Sequence, residues 1–385
     1  MPDNRGNGSD AYDALVVGAG VIGLACAWRA AERGLRVCVL ERGEPGQGAS
    51  AVAAGMLAPI GEVAWGEERL LRANLASATA WPRFANELGE ASGRDVGYRT
   101  AGAIHLALDR DEAEELRRRH ALQVSLGLDA EWLRASECRS LEPGLATAVA
   151  GGVHAPAEAD VDPRVLVAAL REAVLRAGGE LVLGDQPAEA IFDGDRLAGV
   201  QTRLGSELRA RYVVLASGAW SGQAEWLPES ARPRVRPVKG EILVLGANEA
   251  PCERIVASRW VYLVPRADGR LIVGATVEET GFDLRVTAGG VHELLREAYR
   301  LLPEVAEMEL LEATAGLRPG SPDNAPLVGA GAIDGLILAT GHYRNGILLA
   351  PLTGEAVAAE LAGEPVPEAA AGLDPSRFAA EGVAV

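Results

Sequence analysis

Three glycines, Gly18, Gly20 and Gly23, lie in the run Gly18-Ala19-Gly20-Val21-Ile22-Gly23, directly after the apolar stretch Ala14 to Val17. With a strand before and a helix after, this spacing makes a tight turn that brings backbone N–H groups against a pyrophosphate. Glu41 closes the next apolar stretch, 18 residues beyond Gly23. A carboxylate there accepts both hydroxyls of an adenosine ribose and repels a 2′-phosphate, so FAD or NAD fits and NADP does not. The following run, Gly48-Ala-Ser-Ala-Val-Ala-Ala-Gly-Met-Leu57, is rich in small residues that let backbone approach a planar ring system closely, which points to the flavin. A second candidate region is the turn from His342 to Gly346 after Thr340-Gly341. A strand ending there and turning into a helix aims N–H groups at an edge where negative charge develops on reduction. Arg318 sits in the weakly charged Gly-Leu-Arg-Pro-Gly run 316–320, where a guanidinium can grip both oxygens of a carboxylate. An isolated Arg is more often a solvated surface charge, and Tyr262 in Val261 to Pro265 also reads as a buried Tyr with a satisfied hydroxyl.

The elements that must position these groups follow from patterning. Leu24 to Arg33 reads as a helix closed by Gly34, and Leu35 to Leu40 as a strand, giving a βαβ unit of about 30 residues. Asp160-Val-Asp-Pro163 supplies an N-cap and a first-turn proline for a helix over Arg164 to Ala177. Glu180 to Gly184, Tyr212 to Ala216 before Ser217-Gly218, and Leu336 to Ala339 read as further strands of the same sheet, with a helix from about Asn345. Tyr98 to Leu108 and Arg254 to Val277 alternate more and carry charge, as antiparallel strands solvated on one face would. Helices are expected at Asp111 to Gln123 and Gly289 to Leu302. The proline- and alanine-rich stretch from Gly363 to Val385 is expected to fray.

The segments VVGAGVIG, AAGML, DVDP, VVLASGAWSG, PVKGE, VYLVPR, GRLIVGAT, AGLRPGSPDNAP and GHYRNGILLAP, in this order, give the chain a further property. It resembles the glycine oxidase branch of the D-amino-acid oxidase family of flavoenzymes over nearly its whole length. The resemblance implies noncovalent FAD held around Val21, Ile22, Glu41, Arg42, Ser50, Ala54, Gly55, Met56, Ala188 and the segment His342, Tyr343, Arg344, Asn345, Gly346, Ile347 and Leu348. Gly18, Gly20, Gly23 and the strand-ending Gly218 and Gly341 are expected beside them. It implies Arg318 as the substrate-carboxylate clamp, Tyr262 as a second carboxylate contact and Arg344 as another active-site position. It further implies a small amino-acid substrate such as glycine, sarcosine or a small D-amino acid, hydride transfer to flavin N5, molecular oxygen as acceptor with peroxide as product, a place in thiamine thiazole synthesis, and a homotetramer. Trp260 and Val277 depart from the pattern near the side-chain pocket and leave the preferred substrate open. His342 is expected to position the backbone rather than act as a general base. Two rivals remain: a dehydrogenase of the same fold passing electrons to a quinone or protein, and a nonenzymatic dinucleotide-binding module.

Composition bounds these readings. The chain has 385 residues, 48% hydrophobic and 24% charged, enough for two domains and unlike a disordered or disulfide-built protein. The expected fold is α/β: a Rossmann-like FAD-binding domain from residues 11–95, 152–230 and 315–370, interleaved with a mixed-sheet α+β substrate domain from 96–151 and 231–314, and a tail over 371–385. A net charge of −17 repels phosphate backbones and anionic surfaces, so no nucleic acid and no membrane partner is expected. Met1 to Asp10 has neither a basic nor an apolar signal region, and no uncharged run reaches the roughly 20 residues a spanning helix needs, so a cytoplasmic protein is expected. The four cysteines, at 26, 38, 138 and 252, form no ligand spacing and are expected to be free. The five histidines show no metal motif, and no Gly-x-Ser-x-Gly elbow is present.

Overall fold

The computed structural model describes residues 11–63 and 65–381. Met1 to Asp10, read above for a leader, and the last four residues of the tail lie outside them. Among the described residues no helix is long and apolar enough to cross a membrane.

Five parallel strands make the first sheet's centre, in the order Glu180–Leu183, Val37–Glu41, Tyr12–Val17, Glu207–Leu215, Leu336–Thr340. By chain order this is 3-2-1-4-5, so the strand order reverses between Tyr12–Val17 and Glu207–Leu215, where ligands bind in such sheets. Leu327–Ala330 pairs antiparallel with the outer strand. The ribbon Pro187–Asp193 and Arg196–Thr202 pairs antiparallel with the first half of Glu207–Leu215. One face is covered by the helices Val21–Glu32, Pro163–Arg176, Glu68–Ser92 and Ala350–Ala362, which share the largest apolar cluster. Val21–Glu32 is buried almost throughout, and a β-carbon on Gly354 would stand 3.0 Å from the Ala25 carbonyl oxygen, so small residues set this helix spacing.

The second sheet runs Glu309–Gly320, Arg236–Gly246, Arg270–Gly274, Tyr262–Pro265, Ile255–Ala257, Ala103–Ala107, Gly151–Ala155, Glu131–Arg134. Its pairs are antiparallel except Ile255–Ala257 with Ala103–Ala107, so the sheet is mixed as expected. One-sided solvation is corrected: Ala103–Ala107 and Ile255–Ala257 are buried at every residue. Helix Ala288–Leu301 packs on one face, against Ile104 and Leu106, and helix Arg110–Ser125 on the other, where Ala107 and Val153 meet it and Ala103 meets the small-residue run around Ala54. The charges that gave the impression of alternation sit at strand ends.

Three further differences are informative. Glu68–Ser92, a 25-residue helix, was not read from the sequence because Pro82 interrupts it. Its buried Leu70, Ala73, Asn74, Ser77, Trp81, Phe84, Ala85 and Leu88 nonetheless keep helical spacing, and Phe84 meets both Trp28 and Trp81 edge-on. The last helix starts at Ala350, later than the expected Asn345, because consecutive turns occupy 343–349. The described part of the tail does not fray: Ala370, Leu373 and Phe378 are buried, and Arg377 donates to both Asp323 carboxylate oxygens. Asp162 caps Pro163–Arg176 as expected, accepting from Arg164 N at 2.9 Å.

Candidate active site

A cavity of about 1050 Å3 opens at the carboxyl ends of Tyr12–Val17 and Glu207–Leu215 and extends between the two sheets. At its inner end Gly18 has φ +112°, and a β-carbon there would lie 2.5 Å from the Ala216 carbonyl oxygen. Only glycine lets these two strand ends close up. Gly20 and the helix-starting Val21 and Ile22 line the wall, where first-turn N–H groups have no partner within the helix. Ser50 Oγ takes the Val21 N–H at 3.1 Å and so ties the small-residue run to this turn. Glu41 is aimed by two backbone donors, Ala19 N at 2.8 Å and Gly43 N at 3.0 Å, one on each carboxylate oxygen. Arg42 stacks at 4.0 Å over Trp220, which lines the same end with Gly218 and, across from them, Ala188.

The middle is walled by Ala54, Gly55 and Met56 and by the turn His342, Tyr343, Arg344, Asn345, Gly346 and Ile347. Gly55 has φ +74° and no room for a β-carbon, which would meet the Val161 carbonyl at 1.9 Å. Burial drives the His342 pKa down to about 3, and its Nε2 meets Thr353 Oγ1 at 2.9 Å. A neutral, hydrogen-bonded imidazole holds the turn, in keeping with a positioning role. Three expected cofactor contacts are not on the wall. Gly23 packs behind it, its absent side chain leaving room for the Gly18 carbonyl; Gly341 packs on Ser321; the Leu348 carbonyl accepts from Ser77 Oγ and Trp81 Nε1. They shape the wall from behind.

At the outer end, Arg318 and Tyr262 come together from different strands of the second sheet. Arg318 Nη1 donates to the carbonyls of Lys239, at 3.3 Å, and Thr276, at 3.1 Å. Among the described residues no carboxylate lies within 4 Å of it. Burial raises the Tyr262 pKa while Arg318 opposes the rise, so the phenol keeps its proton and can donate it. Gly240 and Gly274 make this placement possible. A β-carbon on Gly240 would sit 2.3 Å from the Arg318 guanidinium, and one on Gly274 2.5 Å from the Tyr262 ring. Trp260 and Val277, the two departures, line the mouth and are half or more exposed.

Sequence reasoning missed Glu62, His105 and Arg119, which line the cavity beside Arg344, and the buried Glu158 behind His105. Glu158 Oε1 accepts from Ile60 N and Gly61 N, and its Oε2 meets His105 Nε2 at 3.2 Å. Glu62 was legible as the first charge after the uncharged run from Gly43 onward is broken only by Glu44; its neighbours were not. Also missed was Arg266, which donates to Asp160 Oδ1 at 2.8 Å and to the Ala54 carbonyl, and so braces the small-residue run.

FAD fits these residues on their own geometry: an anion-accepting turn closed by glycine, a carboxylate pre-aimed at the end of the second strand, and a long cavity with room beyond them for a small molecule. None of the four cysteines lines the cavity, and all are buried and free. Burial pushes Cys26 and Cys38 up to about 12 and Cys138 to about 11, so they stay thiols.

Comparison with known proteins agrees with this geometry. The family described as "DAO: FAD dependent oxidoreductase" matches residues 13–360. A glycine oxidase of Geobacillus kaustophilus is 38% identical over 355 residues, covering 90% of this chain and 92% of that protein. A crystal structure of glycine oxidase from the same organism superposes with a TM-score of 0.89 at 36% identity, covering 96% of this chain and 99% of the other. The bifunctional protein ThiO/ThiG of Trichormus variabilis is 35% identical over 351 residues, which cover 90% of this chain and 52% of that longer protein.

Proposed function

The chain belongs to the DAO family of FAD-dependent oxidoreductases and is an amino-acid oxidase, and from that premise we propose that its substrates are glycine, sarcosine and small D-amino acids. The supporting observation is Arg318: a guanidinium without a carboxylate partner, fixed by two carbonyls beside the Tyr262 hydroxyl, in the same cavity as the glycine turn. In this reading residues 11–95, 152–230 and 315–370 hold the cofactor, and 96–151 and 231–314 supply most of the substrate wall.

Gly18, Gly20, Val21 and Ile22 would take the pyrophosphate, Glu41 the ribose hydroxyls, and Ala54 to Met56 with the turn His342 to Ile347 the ring system. FAD held there would supply a two-electron acceptor for hydride from Cα, with molecular oxygen as the final acceptor and hydrogen peroxide as product. Arg318 and Tyr262 bind the substrate carboxylate and so fix where Cα and the amine stand. The substrate leaves as an imine that takes up water and gives the 2-oxo acid and ammonia, or the primary amine from an N-alkyl substrate. No protein base is needed if the amine enters neutral, and neutral His342 is engaged by Thr353. Similarity to a ThiO/ThiG protein supports a role in supplying an imine for thiazole synthesis.

Anaerobic addition of glycine, sarcosine, D-alanine and D-proline tests this reading. At least one should bleach the yellow protein, with stoichiometric peroxide once air is admitted; bleaching without peroxide would favour a dye- or quinone-linked dehydrogenase. Acid precipitation should release all the FAD, because no thiol faces the cavity. Flavin retained on the precipitated polypeptide would contradict this.

The pH dependence has a fixed sign. His342, held near 3 against an ordinary 6.5, is neutral through the working range, so the reductive rate carries no limb from it. The rate at saturating substrate should rise with pH as ammonium gives way to free amine. A stopped-flow maximum at acid pH would rule out hydride departure assisted by the amine lone pair. The same shift makes the fold less stable as pH falls from about 6.5 toward 3, since only the unfolded chain protonates there.

A further inference from the structure

Two arginines face the outer end of the cavity, and their charges are treated differently. Among the described residues Arg318 has no carboxylate within 4 Å, whereas Arg344 lies between two: Nε is 3.8 Å from Glu62 Oε2 and Nη2 is 3.9 Å from Glu67 Oε2. Both separations exceed hydrogen-bond length, so these are charge contacts and not locked forks. Glu62 lines the cavity, and its Oε2 is buried with no hydrogen-bond partner among the described residues. Burial raises its pKa, Glu158 adds to the rise, and Arg344, His105 and Arg318 oppose it. The third cationic neighbour, Arg119, reaches the Gly61 carbonyl at 3.5 Å, near the limit for a hydrogen bond. At this end of the cavity, Arg318 therefore stands without a carboxylate partner among the described residues, and the partly exposed Glu62, which faces Arg344 with its buried Oε2, sets a carboxylate close by.

We propose that Glu62, backed by Glu67, is a specificity-determining residue that excludes substrates with a second acidic group. It does so by engaging the charge of Arg344 internally and by setting a like charge where a second carboxylate would lie. One carboxylate neutralises Arg318; another on the side chain or amine substituent meets Glu62 in a site poor in water, where like-charge juxtaposition is costly. The inference rests on reading this cavity as the amino-acid site. It would let a pocket that sets Arg119, Arg318 and Arg344 near one end favour monocarboxylates.

The test is equilibrium binding of acetate and malonate to the FAD-loaded protein at alkaline pH, followed by visible difference spectra, in the wild type, Glu62→Gln and Glu67→Gln. Acetate reports the Arg318 clamp and corrects for any general distortion. The wild type should prefer acetate. Glu62→Gln should shift the malonate-to-acetate affinity ratio toward malonate on the order of tenfold, and Glu67→Gln, farther from the cavity end, by less. The companion turnover ratio, iminodiacetate against sarcosine, should move the same way. An unshifted ratio in both variants overturns the inference. If Glu62→Gln yields no folded holoprotein, Glu67→Gln alone decides in the same two ways. The outcomes are separable from those of the proposed function: a protein bleached by no amino acid yet showing the shifted ratio loses that function and keeps only the charge discrimination at Glu62, and one bleached by glycine with an unshifted ratio keeps the function and loses this inference.

Discussion

Arg318→Ala should reduce kcat/KM for glycine or a small D-amino acid by a factor of about 10² to 10³, while FAD remains bound. The substrate carboxylate would then lie in a cavity with its strongest partner removed, and deleting one member of a buried charge pair typically costs about 3–5 kcal/mol. The loss is not cushioned by Arg344, whose charge faces Glu62 and Glu67. Tyr262→Phe removes only a hydrogen bond to a charged group, about 1.5–3 kcal/mol, and should cost less. Steady-state kinetics with flavin content checked by absorbance orders the two. Near wild-type activity in Arg318→Ala would move the clamp elsewhere, to Arg344 first. A Gly240→Ala variant provides an independent check: its β-carbon would displace the guanidinium, so KM should rise although no charge has changed.

Arg266→Ala should be the most damaging single change to holoprotein stability. Arg266 is buried, and it joins the second sheet to Asp160 and to the Ala54 carbonyl in the small-residue run that lines the cavity. Arg99 also reaches Asp160, at 3.1 Å, and Arg270 reaches Asp162 at 2.8 Å, so the cluster alternates cations and carboxylates across both halves of the molecule. Burial pushes the Asp160 carboxyl up, and its two arginines hold it back. Without Arg266 that carboxylate and the Ala54 carbonyl lose their buried donor, at a cost of about 3–5 kcal/mol. A marked fall in melting temperature and loss of most bound flavin are expected. Arg266→Lys should rescue only part, because an ammonium cannot fork to both acceptors. Full flavin occupancy and an unchanged melting temperature in Arg266→Ala would show the cluster to be dispensable.

What was legible beforehand divides along physical lines. The glycine turn, Glu41, the N-cap at Asp162 and the five parallel strands follow from local rules, with close spacing, an apolar run or a cap, and the structure shows all of them. Glu68–Ser92 was hidden because Pro82 is a local breaker that burial of Trp81 and Phe84 overrides. The order of the second sheet and the charged groups beside Arg344 were hidden for another reason. His105 meets Glu158, and Asp160 meets Arg266, across separations in sequence that no periodicity encodes. Burial of Ala103–Ala107 likewise depends on what covers the strand, not on its own pattern. Arg318 was found through its glycine- and proline-flanked setting and the family resemblance, while the two glycines that make room for it and Tyr262 gain meaning only once neighbouring strands are paired.

The 3-2-1-4-5 strand order fixes when, during synthesis, the cavity can come into being. Tyr12–Val17 waits for Glu207–Leu215, whose outer half waits in turn for Leu336–Thr340. A nascent chain that has emerged only as far as Gly320 already carries the glycine turn, Glu41 and Arg318. It still presents Val213 to Leu215 as an unpaired parallel edge, and the turn His342 to Ile347 is still inside the ribosome. With the proposed flavin site completed by that turn, capture of the cofactor would follow synthesis of Leu336–Thr340 and His342 to Ile347, and until then the open edge is a liability for which chaperones and neighbouring ribosomes compete.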